Sequence, residues 1–238
     1  MPPRIHTDPP LATGTTVALP PGASRHVQVL RLQPGAELTL FDGLGGQWSA
    51  EVVEMGRKTV TARVLAHEAL DRELATRVTL ALGMPANERM DWLIEKATEL
   101  GVARLVPLMT ERSVLRLQAD RALKRQAHWQ ALALAACEQC GRNRPPTIDL
   151  PQSLGQFLAQ DHGRTAKRLL SLAPSAPPPQ PSHGHVTVLS GPEGGLSNAE
   201  EALAIAAGFV PWQLGPRTLR AETAALAALT LCAETAGL

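Results

Sequence analysis

The distribution of apolar and polar positions divides the chain near residue 70. Before that point the apolar residues come in short β-branched or alternating runs: "TTVALP" (15–20), "ELTLFDG" (37–43), "QWSAEVVEM" (47–55) and "TVTARVLAHE" (59–68). Gly, Pro and Asp separate them, the pattern of short strands. In "LFDGLGGQW" (40–48), Asp42-Gly43 and Gly45-Gly46 supply the chemistry of a tight hairpin turn. The first 70 residues therefore predict a small β-barrel or sandwich.

From about residue 75 the period changes to strand followed by helix. "RVTLALG" (77–83) predicts a strand. In "ERMDWLIEKATELG" (88–101), Met90, Leu93, Ile94, Ala97 and Leu100 share one helical face, which Gly101 closes. "VARLVPL" (102–108) predicts the next strand and 119–140 a long helix. "RLLSL" (168–172) and "VTVLS" (186–190) predict further strands. Ser197 and Glu200 form an S-x-x-E capping box that opens a helix ended by Gly208. "FVPWQL" (209–214) then predicts a strand, and "AETAALAALTLCAETA" (221–236) a terminal helix. Alternation of this kind implies a parallel sheet covered on both faces. The proline-rich "APSAPPPQPSHGH" (173–185) predicts a loop of extended polyproline character.

Composition narrows the function classes. The 238 residues are 44% hydrophobic and 19% charged, with a formal net charge of +1, so any nucleic-acid footprint must be local. One such locality exists: 112–144 carries seven Lys or Arg against two Asp or Glu. No apolar run has the length of a membrane span, and "MPPRIHTDPPLATG" lacks the apolar core of a signal peptide. Three cysteines, an odd number, argue against a disulfide framework and suit a reducing cytoplasm. Cys137 and Cys140 invite a metal reading, but zinc wants four ligands and no second Cys pair or spaced His pair is present.

The chemistry concentrates near the C-terminus. "VLSGPEGGLSNAEEA" (188–202) places Gly191, Gly194 and Gly195 between a strand and a helix, and "LGPRTLRAET" (214–223) is a second glycine-containing turn after a strand. Loops leaving the carboxyl ends of parallel strands form the ligand crevice of such sheets. A phosphate-cradling loop wants a lysine, and none occurs from 169 to 238; the dinucleotide fingerprint G-x-G-x-x-G is also missing. Two readings stand: a nucleoside held by close backbone, or ordinary strand-to-helix turns.

Taken as whole stretches, these two segments resemble the SPOUT superfamily of RNA methyltransferases, and most closely the RsmE family, which methylates N3 of one uridine in 16S rRNA. The resemblance extends to "EKATELGV" (95–102), "AACEQCGRNRPP" (135–146), an early Arg4 and "RHVQVLRLQPGAEL" (25–38), and so covers nearly the whole chain. It implies an α/β fold class in which residues 1–72 form a PUA-like, RNA-binding β-barrel. Residues 73–238 would be a SPOUT methyltransferase domain with a deep trefoil knot, a topology no general rule would suggest. It further implies S-adenosylmethionine as cofactor, held by Leu189, Ser190, Gly191, Pro192, Glu193, Gly194, Gly195, Leu214, Gly215, Leu219, Arg220 and Thr223. A homodimer, an rRNA partner in the small ribosomal subunit and a cytoplasmic location follow from the same resemblance. One departure is visible: relatives commonly carry His-Pro after the strand ending near "LLSLAP", where this chain has Ala173 before Pro174.

Methyl transfer to N3 requires loss of a proton and stabilisation of the resulting anion. Arg220 is the cation placed for the second task, or else a partner in a structural ion pair. Glu222 is a possible base, or else a first-turn carboxylate favoured by the helix dipole. Arg142 and Arg144, on a turn after the long helix, are expected to reach phosphates, with Arg4, Arg25 and Arg31 as the barrel's contribution. Two readings from other classes are a non-catalytic RNA-binding ribosome-assembly protein, disfavoured by intact glycine and Arg220 motifs, and a Rossmann-type enzyme, disfavoured by the missing fingerprint.

Overall fold

The computed structural model describes residues 2–8, 10–113, 119–173 and 184–234. The expected polyproline stretch falls, at 174–183, outside the described residues, as does Arg116 of the basic run. The chain forms two compact units: Met1–Glu73 with Leu134–Pro145, and Leu74–Ala133 with Pro146–Leu238.

The first unit is built on β1 (Arg4–His6), β2 (Thr16–Ala18), α1 (Pro21–Val29), β3 (Glu37–Phe41), β4 (Gln47–Met55) and β5 (Val60–Glu68). Its five strands run in the order β1-β3-β4-β5-β2, antiparallel except for the parallel β1–β3 pair. The expected hairpin joins β3 to β4, with Leu40 opposite Trp48, and Gly43, Gly45 and Gly46 all at positive φ in its turn. The period of two sends Leu38, Leu40, Ala50, Val52, Ala62 and Val64 into one core. Helix α1 interrupts what the sequence predicts as strands alone. Pro21 fits a first helical position, and Ala23 and Val27 recur at helical spacing, but a helix of nine residues holds too few apolar positions to set a period.

Residues 134–145 complete this unit. The Arg4 guanidinium donates to Gln47 Oε1 (2.6 Å), Asn143 Oδ1 (2.6 Å) and the Arg142 carbonyl (3.2 Å), and lies 5.0 Å from the centre of the Phe41 ring. The His6 amide donates to Glu138 Oε1 (2.9 Å), and Arg72 to the Gly141 carbonyl (2.8 Å). Arg142 and Glu73 form an ion pair that leaves the arginine side chain 5% exposed. Cys137 is buried here, and burial pushes its thiol up to about 12, so it is neither thiolate nor nucleophile at neutral pH.

The second unit follows the predicted alternation: β6 (Arg77–Gly83), α2 (Asn87–Glu99), β7 (Arg104–Met109), α3 (Ala119–Cys140), β8 (Thr147–Ile148), β9 (Gln152–Ser153), α4 (Leu154–Leu158), β10 (Thr165–Leu170), β11 (His185–Ser190), α5 (Asn198–Ala206), β12 (Val210–Trp212) and α6 (Ala221–Glu234). All its strand pairs are parallel, in the order β12-β10-β11-β6-β7-β8, with β9 also paired to β7. Side chains alternate between two cores. Val78, Leu80, Val186 and Val188 meet α2, α3 and α6, while Ala81, Leu169 and Leu189 meet α4 and α5. Met90, Leu93, Ile94 and Ala97 of α2 are buried as expected, but Leu100 is 38% exposed. The helix ends at Glu99, and Gly101 at φ +91 turns the chain away before Leu100 can follow its face inward. From β12, outside β10, the chain returns to pack α6 against β6, β11 and α2. Among the described residues no helix is long and apolar enough to cross a membrane.

Candidate active site

The carboxyl ends of β10, β11 and β12 open on one cavity of about 610 Å³. A parallel sheet binds ligands at this edge, where the order of its strands breaks with the order of the chain. Its first wall is the loop after β11. Gly191 lets that loop fold on itself, since a Cβ there would lie 2.6 Å from the Gly195 carbonyl carbon and the Leu196 nitrogen. Gly195 has φ +68 and no heavy atom within 4 Å of where its Cβ would stand, so its backbone faces open space.

Neighbouring loops hold this wall in place. Arg112 Nη1 donates to the carbonyls of Gly194 (2.7 Å) and Leu196 (3.2 Å). Glu193 Oε1 accepts from the Ala86 amide (3.1 Å), just before α2, and from Arg89 (3.4 Å). The capping box is present: Glu200 accepts from the Ser197 amide (2.9 Å), and its second oxygen accepts from the Glu111 amide (2.8 Å). One carboxylate thus caps α5 and ties it to the loop after β7.

The second wall is the stretch after β12, where Leu214, Gly215, Leu219 and Arg220 line the cavity as expected, joined by Arg217 and Thr218. The third is the end of β10, where Ser171, Leu172 and Ala173 take part although the His-Pro pattern is absent. Ser171 Oγ accepts from the Ala173 amide (3.1 Å) and contacts Glu201 Oε2 (3.3 Å). Backbone and apolar groups dominate, with four arginines (Arg89, Arg112, Arg217 and Arg220) against two glutamates (Glu193 and Glu201), and no lysine is among the described lining residues.

Most of the expected site residues come together. Ser190, Gly191, Pro192, Glu193, Gly194, Gly195, Leu214, Gly215, Leu219 and Arg220 all line the cavity. Two do not. The Leu189 side chain is fully buried in the core on the α4–α5 face, because strand alternation turns it from the crevice. Thr223, a turn into α6, lines a separate cavity of about 270 Å³ with Arg220 and Glu222. Glu222 is 8% exposed, and its Oε2 has no hydrogen-bond partner among the described residues.

The basic residues divide. Arg25, Arg31 and Arg144 are exposed. Arg4 and Arg142, expected on phosphates, are instead buried and turn their terminal guanidinium nitrogens to partners inside the first unit, and burial lowers the Arg4 pKa. Sequence reasoning missed Arg89 and Arg112. Arg112 lies in the basic run but turns back onto the glycine loop, and nothing local in its sequence marks that. Among the described residues no group of three or more His, Cys, Asp or Glu side chains is placed to hold a metal ion.

The family model of the RNA methyltransferase domain matches residues 72–233, the stretch that builds this parallel sheet and its crevice, and so gives the protein's class as RNA methyltransferase. The model of the RNA methyltransferase PUA domain matches 19–65. The chain belongs to the ribosomal RNA small subunit methyltransferase E family. It is 34% identical over 234 residues to the enzyme of that name from Synechocystis, covering 95% of this chain and 75% of that one. The Neisseria gonorrhoeae methyltransferase of the same name, solved bound to S-adenosyl methionine, superimposes with a TM-score of 0.90 at 35% identity, covering 96% of this chain and 95% of that one. A Legionella pneumophila protein described as a methyltransferase and solved with bound cofactor gives 0.92 at 36% identity, over 98% and 97% of the two chains. The architecture is a PUA-like N-terminal domain followed by a SPOUT methyltransferase domain.

Proposed function

We propose that this chain transfers a methyl group from S-adenosylmethionine to N3 of a specific uridine in 16S rRNA. The observation that carries this reading is the cavity between the 191–195 loop and the 214–220 loop. Its residues fit the cofactor. Open backbone at Gly195 and Gly215 leaves room for a ring and ribose, and Glu193 and Glu201 of the lining suit a cationic sulfonium ligand. Ser190, Gly191, Pro192, Glu193, Gly194, Gly195, Leu214, Gly215, Leu219 and Arg220 would hold it. When bound, S-adenosylmethionine supplies the methyl group as a sulfonium-borne electrophile and leaves as the neutral thioether.

The chain's own residues do the rest. Removing the N3 proton spreads negative charge over the two flanking carbonyl oxygens of uracil. Arg220, which lines both cavities, is the cation for that charge. Glu222, which lines the smaller cavity beside Arg220, is the acceptor for the proton. Much of the acceleration would come from holding the two reactants in line. Arg25, Arg31 and Arg144 would meet rRNA phosphates, with residues 1–72 as the RNA-binding domain and 73–238 as the catalytic one. The return of the chain from β12 past β10 to α6 supports a deep trefoil knot. A cytoplasmic homodimer completes the proposal.

Mass spectrometry of 16S rRNA from a deletion strain tests it: one N3-methyluridine should vanish and return on complementation. Unchanged rRNA would refute the reading. Calorimetry on the full chain should show S-adenosylmethionine binding, lost when Gly195 is replaced by valine.

A further inference from the structure

The 270 Å³ cavity beside the cofactor site is lined by Glu88, Arg89, Trp92, Arg220, Glu222 and Thr223. It shares Arg89 and Arg220 with the larger cavity, so the two adjoin. We propose that this smaller cavity receives the extruded target uracil, with Trp92 as the surface on which the ring stacks. The proposal rests on the methyltransferase reading and names the substrate's seat within it.

Three observations carry it. Trp92 is 46% exposed on α2, whereas Trp48, Trp129 and Trp212 are all buried. An exposed indole at a cavity wall offers a flat apolar face, and enzymes that modify a base must take it out of its stack and restack it on such a face. Second, the charged lining balances: two glutamates against two arginines, the wrong set for a phosphate and a suitable one for a neutral ring. Third, the donor and acceptor types match one base. Uracil shows a donor, N3–H, between two carbonyl acceptors. The cavity offers the carboxylate of Glu222 as acceptor together with the guanidinium donors of Arg89 and Arg220. Cytosine presents an acceptor at N3 and a donor at N4, which would face Glu222 and an arginine with like groups.

Arg89 also contacts Glu193 of the glycine loop at 3.4 Å, which ties the acceptor cavity to the cofactor wall. Glu88 is exposed at the rim. Thr223, expected on the cofactor, belongs by its position to this second cavity.

Tryptophan fluorescence with hexauridylate and hexacytidylate as probes tests the assignment without turnover. Hexauridylate should quench the exposed indole, hexacytidylate should do so more weakly, and the difference should be absent in Trp92→Ala. In single-turnover methylation of 16S rRNA at saturating cofactor, Trp92→Ala should lose on the order of ten- to hundredfold in rate or RNA affinity, with Trp92→Phe retaining most of it. Cofactor affinity should stay unchanged in both. A Trp92→Ala enzyme that methylates like wild type overturns the proposal, while leaving the methyltransferase reading intact. Equal quenching by both probes overturns it as well, and so does a loss of activity that tracks dissociation of subunits in sedimentation. A wild-type protein that transfers no methyl group refutes the underlying reading instead.

Discussion

Arg142 and Arg144 stand two positions apart on one turn and face opposite demands. Arg142 is paired to Glu73 with 5% of its side chain exposed, and Arg144 is exposed, its guanidinium lying over Gly45. Removing one member of a buried pair strands the other, at a cost of about 3–5 kcal/mol, so Arg142→Ala should show that loss in urea unfolding. Arg144→Ala should leave stability unchanged, weaken rRNA binding and lower its salt slope by roughly one. Nothing in "CGRNRPP" separates the two, because what distinguishes them is Glu73, distant in sequence. At Arg220 the expectations also divide cleanly. If it stabilises the uracil anion, Arg220→Ala should cost about 2.7–4 kcal/mol in the single-turnover barrier at saturating cofactor. Arg220→Lys should restore little, for lack of the planar fork. An unchanged single-turnover rate would remove Arg220 from the mechanism.

Single elements were legible where local chemistry specifies them. The hairpin glycines, the α5 capping box and the glycine ending α2 are rules read within a few residues. Helix α1 and the seating of Arg112 depend on what packs against them, and local pattern does not carry that. Ser197→Ala should lower stability by about 1 kcal/mol through the lost cap alone. Glu200→Ala also frees the Glu111 amide, so it should weaken cofactor binding more than Ser197→Ala does, as calorimetry would show. Between α4 and β10, His162 packs on Phe157 with ring centres 4.5 Å apart, and its Nε2 is buried without a partner among the described residues. Burial first, then Lys167, lowers its pKa from 6.5. The unfolded chain therefore takes up a proton below about pH 6.5 where the folded one does not. Stability should fall as pH drops through that range and be indifferent above it. His162→Phe should flatten this slope in thermal melts.

For the whole molecule, the terminal helix carries the expectation of a dimer, and the structure narrows which residues remain for it. Ala225, Ala228 and Leu229 are fully buried within the chain, whereas Leu231 is 43% exposed. Sedimentation should find a dimer, and Leu231→Arg should convert it to a monomer of 25.3 kDa. An active wild-type monomer at micromolar concentration would refute the dimer. The class of the second unit was visible in its alternation of strand and helix. The discontinuity of the first was not, because residues 134–140 read only as the end of a long helix.

That discontinuity sets a timetable for synthesis. The strands of the first unit leave the ribosome long before residues 134–145, which supply the partners of Arg4, His6 and Arg72. At bacterial or eukaryotic elongation rates the 72 residues from 74 to 145 take roughly 4–15 s to make. Through that interval the β1 edge lacks its closing segment, and the guanidinium of Arg4 lacks two of its acceptors. The barrel is encoded first and finished late, so nascent chains ending at residue 133 should be cut readily by protease, while those that have released residue 145 should resist.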